Sequence, residues 1–352
     1  MMREQNKTAQ EFANLDLLRS VAVLSVFFSH LLEIVTRHET EVTWHLGQLG
    51  VLIFFVHTSL VLMQSMERLG LEGRSLFSTF YVRRWFRIYP LSMFCVILAY
   101  AFGSAPHTDL VVHIWNVKDL LANLSLTQNL FYRDSMVGGL WTLPLEVQMY
   151  VALPVLFVVF RNRPLERLIA LWAVTIPIAL IQPHVSGRLD VLGYVPCFLG
   201  GVIAWRISHL YMPKLPAWLW PIGLVAVCSI WMAASREYDM FYRWGFCLVL
   251  GCAIPWFYQI DWTWLTISAK MVARYSYGIY LSHIALMTLC FRQPAWHSKL
   301  VQWAAFVALS FGIPIAIYHL LEHPMIGVGR KLTSRRSTRP LTIEPIAQEK
   351  VM

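Results

Sequence analysis

Charge is scarce in this sequence. Only 14% of its residues are Asp, Glu, Lys or Arg, against about 25% in a typical soluble domain. That excludes an ordinary water-soluble globule. Acids are scarcer than bases, and the formal net charge is +9. Cysteine is sparse as well. Cys95, Cys197, Cys228, Cys247, Cys252 and Cys290 all lie in apolar runs, none in a C-x-x-C spacing. A disulfide framework and a zinc site are therefore not expected, and buried thiols are. The alternating ten-residue segments of a β-barrel are missing, and so are internal repeats and a second soluble domain. The first hydrophobic run is too long for a signal-peptide core and lacks a small-x-small cleavage site. It reads as an uncleaved first span.

What the sequence has in quantity is apolar surface. Hydrophobic residues make up 57%, the mean hydropathy is +0.53, and 15 Trp and 20 Phe supply the aromatics that favour membrane interfaces. In lipid the backbone must satisfy itself internally, so continuous apolar runs of about twenty residues read as helices. The expected fold is an all-α polytopic membrane protein with about ten spans, near 15–36, 48–66, 88–104, 141–160, 166–182, 190–208, 217–234, 241–259, 276–292 and 299–321. With that register, most of the 29 Lys and Arg fall on one side, including Arg3, Lys7, Arg68, Arg74, Arg83, Arg84, Arg87 and the basic tail. The positive-inside rule then puts both termini in the cytoplasm and the protein in the cell inner (plasma) membrane. The longest external loop is about 105–140. Residues 12–326 read as one transmembrane domain and 327–352 as a short basic tail, disordered and able to meet anionic lipid. The positive charge is a topology signal here, and no nucleic-acid partner is expected.

The first span, "LDLLRSVAVLSVFFSHLLE", carries ionisable groups. Arg19 and His30 are eleven residues apart, about three turns plus 20°, so they share one stripe with an axial separation of about 16 Å. This sets Arg19 at the cytoplasmic mouth and His30 near mid-membrane. Glu33, three residues on, neighbours His30. A snorkelling Arg19, an interhelical hydrogen bond from His30 and an external-loop Glu33 would need no function. Ionisable groups inside a membrane are costly, and the alternative is a polar channel with a cation at its mouth and an acid–base group at its end. Arg84 and Arg87 share a helix face as a fork suited to phosphate, whereas Arg83 reads as ordinary topology charge. Glu146 lies five residues inside Trp141, taken as an interfacial anchor, about 7–8 Å below the outer interface. There it could meet His30 and Glu33 to bind an acceptor or handle protons. Pro144 is expected to loosen the backbone beside it. His283 reads as a helix–helix hydrogen bonder and Glu322 as part of a helix end. Asn6 and Asn123 match the N-x-S/T pattern, which is short enough to carry no weight.

Several segments resemble, in order, the membrane-bound acyltransferase-3 family: "LDLLRSVAVLSVFFSH" with its Arg–ten residues–His spacing, "GVLIFF" (50–55), "FYVRRWFRIYP" (80–90), "LWTLPLEVQMY" (140–150), "RLDVLGYVPCFLGG" (188–201), "YSYGIYLSH" (275–283) and "LLEHP" (320–324). The resemblance spans roughly residues 12–326. It implies transfer of an acyl group, commonly acetyl, from acyl-CoA to a hydroxyl of a carbohydrate or lipid-linked glycan, with no permanently bound cofactor. It implies His30 as base or acyl-accepting residue, with Glu146 and Glu33 beside it, and Arg19, Arg84 and Arg87 on the coenzyme phosphates. Leu52 replaces the family's Asp, and Thr58-Ser59, with a bulky His57 before them, stand where the family has a small Ser-Gly pair, which leaves the role of that segment open. A glycan or lipid-intermediate exporter using the same stripe is the alternative, though no paired broken helices support it. A membrane scaffold without chemistry would leave the aligned Arg and His unexplained.

Overall fold

A computed structural model describes residues 12–103, 115–210, 213–292 and 298–334. Arg3, Lys7, Asn6, the first part of the external loop and the tail from 335 lie outside them. The described residues form helices α1 (Ala13–Thr36), α2 (Glu41–Leu69), α3 (Gly73–Phe102), α4 (Val117–Leu124), α5 (Thr142–Phe160), α6 (Leu165–Val185), α7 (Val191–Ile207), α8 (Leu219–Met232), α9 (Asp239–Ala253), α10 (Thr263–Arg292), α11 (Lys299–Ile317) and α12 (His323–Ser334). A π-helical turn, Tyr318–Glu322, joins the last two. Among the described residues no strand forms, only an isolated bridge between Leu215 and Phe257.

Six helical stretches are long and apolar enough to cross a membrane: α1, α2, α3, Gly138–Phe160 containing α5, α6, and the continuous run Lys299–Ser334. α7 and α8 are apolar but shorter. At 15 residues, α9 spans only about 22 Å against a hydrocarbon thickness of about 30 Å. The fold is thus an all-helical membrane protein. Large apolar side chains on its outer faces, such as Phe311, Leu320 and Ile230, suit lipid contact.

α1 packs chiefly on α2 and α10, and α2 packs on α7. Small residues let these backbones approach. A Cβ on Gly50 would meet the Ala22 carbonyl of α1 at 2.4 Å, and one on Gly201 of α7 would meet the Val56 carbonyl of α2 at 2.1 Å. Ser59 Oγ donates across the second contact to the Phe198 carbonyl at 2.7 Å. Leu52, the residue in place of the family Asp, is fully buried in the packing core.

Two expected spans begin earlier than the hydropathy implies. α3 starts at Gly73 rather than 88, and α10 at Thr263 rather than 276. Their N-terminal halves carry charge, Arg74, Arg83, Arg84 and Arg87 in α3 and Lys270 and Arg274 in α10, so an apolar window misses them, yet the helix propagates because nothing breaks it. Arg74, Arg83, Arg84 and Arg87, placed before or at the edge of that span by hydropathy, are therefore helical. The domain boundary drawn at 326 also falls inside a helix. Residues 327–334 are ordered as α12, which packs on α3: Arg83 Nε donates to Thr333 Oγ1 at 2.9 Å, and Gly329 faces Phe86. A π turn feeding an amphipathic segment gives that stretch an apolar face to bury, which a count of basic residues hides.

The described part of the connection between α3 and α5 is also built rather than loose. Asn116 and Asp119 cap α4 reciprocally. Asn123 is fully buried, its amide bonded to the Asp119 and Asp134 carbonyls and its carbonyl to the Met136 N–H. That burial removes it as a glycan acceptor.

Candidate active site

α1, α2, α3, α5 and α10 line a partly open cavity of ≈ 80 Å³, roomy enough for several waters but not for a nucleotide. Its polar lining is Arg19 from α1, His57 and Thr58 from α2, Arg84 and Arg87 from α3, Glu146 and Tyr150 from α5, and Ser276 and Tyr280 from α10. Four of the six residues singled out in the sequence, Arg19, Arg84, Arg87 and Glu146, therefore converge here. Each arginine is half-buried. The i, i+3 spacing of Arg84 and Arg87 puts both on the cavity face, while Arg83 turns to α12.

Partners fix each group. Arg19 Nε donates to Ser276 Oγ at 2.6 Å. Tyr150 O–H donates to Glu146 Oε2 at 2.8 Å, one helical turn away. Glu146 also lies within electrostatic reach of all three arginines, and His57 reaches the backbone of Leu15. Arg87 Nη1 sits 3.7 Å from Glu322 Oε1, a carboxylate with 1% of its side chain exposed and no hydrogen bond on either oxygen. The π turn carries Glu322 to that position. Reading it as a plain helix end misses this. The available signal was a lone acid closing a long apolar run.

His30 and Glu33 do not line the cavity. Their own pairing forms as the spacing implies: His30 Nδ1 donates to Glu33 Oε2 at 3.1 Å, and Ser29 Oγ lies 3.3 Å from Glu33 Oε1 while donating to the Thr43 carbonyl at 2.7 Å. Glu33 is therefore a helix residue with 12% of its side chain exposed, not a loop carboxylate. The sequence reading allows Glu146 to meet this pair; in the structure Glu146 lines the cavity, whereas His30 and Glu33 do not. The reason is Trp141. It is half-buried beside Tyr194, and the turn Gly138–Trp141 that carries it is packed among the helices. A Cβ on Gly139 would stand 3.0 Å from the Tyr280 carbonyl. Packed in this way, the start of α5 puts Glu146 with the arginines. Pro144 falls in the first turn of α5, where it costs no helical hydrogen bond.

Tyr280 connects the two groups. Its ring lines the cavity, and its hydroxyl is 2.7 Å from Thr142 Oγ1. Its ring centre is 6.0 Å from that of His283, which in turn is 5.3 Å from that of His30. No periodicity argument singled out Tyr280, since a Tyr on a membrane helix is common. Among the described residues, no group of three or more His, Cys, Asp or Glu could hold a metal ion.

A family model described as an acyltransferase domain matches residues 12–319. The chain belongs to the acyltransferase-3 family. The match covers most of the chain and contains both the cavity lining up to Tyr280 and the His30–Glu33 pair, so the protein is a membrane acyltransferase. No curated protein and no solved structure matches it. Glu322 lies just beyond the acyltransferase match, although it pairs with Arg87 inside it.

Proposed function

We propose that this acyltransferase moves an acetyl group from acetyl-CoA to a hydroxyl of an exported or surface carbohydrate, with ten spans and both termini cytoplasmic. The observation that carries this reading is the convergence of Arg19, Arg84 and Arg87 on one cavity that reaches Tyr280, beyond which the His30–Glu33 pair sits. Three guanidiniums in a partly desolvated site attract a polyanion strongly. At ≈ 80 Å³ the cavity is too small for the whole donor, so only the thioester end of the thin pantetheine arm would enter it, and the nucleotide end would stay outside, drawn by the arginines.

Glu33 accepts the Nδ1 hydrogen of His30 and leaves Nε2 as the free base. That nitrogen would take the proton of the acceptor hydroxyl as its oxygen attacks the thioester carbon. The C–S bond then breaks, and the sulfur takes the proton from His30. For the thioester to reach His30, the Tyr280 ring must turn aside from Thr142. Glu146, held by Tyr150 among the arginines, serves the donor end in this scheme rather than the acceptor.

The test is incorporation of label from radiolabelled acetyl-CoA into carbohydrate by native membranes holding the protein. Incorporation that needs His30, with thiol released in equal amount, supports the reading. Export of a glycan intermediate without any acyl transfer would instead establish the transporter alternative.

A further inference from the structure

His283 is a buried histidine that the scheme above leaves unused. It lies on α10 with 2% of its surface exposed. Its Nδ1 is 2.7 Å from the Tyr280 carbonyl and 3.2 Å from the Ile279 carbonyl. Carbonyl oxygens only accept, so Nδ1 carries the ring hydrogen and Nε2 is a bare lone pair. That Nε2 is buried and has no partner. Buried polar atoms are nearly always paired, and an exception in a site asks for a reason.

No donor reaches that nitrogen in this structure. Phe27 lies 6.3 Å from the His283 ring centre, and beyond it Ile34, Met287, Cys290 and Phe306 form a small apolar cluster. Two polar rings lie nearby: Tyr280, at 6.0 Å between centres with its hydroxyl paired to Thr142, and His30, at 5.3 Å between centres and tilted by 38°. Its Nδ1 hydrogen is likewise committed, to Glu33. Two neutral imidazoles tied in this way each present a bare Nε2 and cannot bond each other, which agrees with the orphaned atom. The ring centres are nevertheless close enough that a small rotation of either ring would bring the two Nε2 atoms within one N–H···N bond of about 3 Å.

We propose that His283 is a positioning residue for His30, its Nε2 accepting a hydrogen bond from His30 Nε2 while His30 holds the proton taken from the acceptor hydroxyl. This deepens the proposed function and rests on its reading of His30 as the base. Atoms balance as in that scheme. The acceptor O–H breaks, the proton passes to His30 Nε2, the C–O bond forms as C–S breaks, and the sulfur receives the proton. His283 never carries the proton. It holds the doubly protonated ring of His30 in place until the sulfur collects it. Between turnovers its lone pair is left idle, a stability cost accepted for the sake of the transferring state.

The arrangement makes stability and activity respond in opposite senses, which a purely structural histidine would not do. In His283→Leu the unpaired nitrogen is replaced by apolar atoms of similar bulk. The melting temperature of the purified protein should hold or rise, acetyl-CoA binding should be unchanged, and label incorporation by native membranes should fall 10–100-fold. His283→Gln keeps an acceptor near the Nε2 position and should recover at least a third of the wild-type rate. Wild-type turnover in His283→Leu overturns the proposal. So does a loss of turnover that parallels a fall in melting temperature and is not recovered by Gln. His30→Ala is measured alongside. If it transfers label as the wild type does, the base assignment fails and takes this inference with it. If His30→Ala is dead while His283→Leu is fully active, only the present inference fails.

Discussion

At the scale of single residues, the site divides into groups the sequence marks and groups it hides. Arg19, Arg84 and Arg87 were legible because charge in apolar helix is rare and spacing assigns faces. Truncating any of them should act on the donor. Arg84→Ala is expected to raise the KM for acetyl-CoA about tenfold or more with a smaller change in kcat, and to flatten the dependence of KM on salt. Steady-state kinetics at two ionic strengths check this. Glu33→Gln should behave differently. The amide no longer fixes which His30 nitrogen carries hydrogen, so kcat should drop about 10–100-fold while the KM for acetyl-CoA holds. Equal effects on both parameters would count against Glu33 as the partner that orients His30. Tyr280 and His283 were not legible as site residues. An aromatic or a histidine in a span usually packs, and only the tertiary neighbourhood shows that one lines a cavity and the other faces His30. Tyr280→Trp should leave acetyl-CoA binding intact and stop transfer, because a larger ring cannot leave the gap beside Thr142. Unimpaired transfer would show that the thioester does not pass that way.

At the scale of elements, short distortions of helix do the placing. The π turn Tyr318–Glu322 adds one residue to the helical repeat and turns Glu322 toward Arg87. Leu320, on the same turn, is 80% exposed, so its loss costs little packing. Deleting it should restore α-helical phase and rotate Glu322 by about 100° off Arg87. The expected result is a folded protein with altered acetyl-CoA affinity, measured by equilibrium binding. Unchanged affinity would mean that the ion pair does not tune the cavity. Helix contacts are equally specific. Gly201→Leu would force side-chain atoms into the α2 backbone, where a Cβ already stands 2.1 Å from the Val56 carbonyl. Overpacking of this sort costs about 1–3 kcal/mol or more, read as aggregation in size-exclusion chromatography. Hydropathy located these helices but shortened α3 and α10, because the criterion measures apolar content whereas helix growth needs only an unbroken backbone pattern.

At the scale of the whole molecule, the proposed reaction has a direction. The donor arginines lie at the end of α1 that the charge bias assigns to the cytoplasm, and His30 lies toward the other end. In sealed vesicles, acetyl-CoA should therefore drive transfer only when supplied to the cytoplasmic face. Equal activity from both faces would break the scheme. A reporter that works only in the cytoplasm, fused after Ser334, should be active, in line with an even number of crossings. What the sequence by itself determined is the solvent and the architecture. Too little charge and too much apolar length leave helices in lipid as the only way to satisfy the backbone, and the ordered motifs name the chemistry to look for. Helical periodicity also determined which arginines share a face, because that geometry is local. Only the tertiary structure decided that Glu146 belongs with the arginines, that Glu322 reaches Arg87, and that Tyr280 and His283 stand between the cavity and His30. Each of those depends on the depth at which one helix sits against another. Depth is set by close-packed contacts such as Gly139 under Tyr280, and no residue carries that information alone.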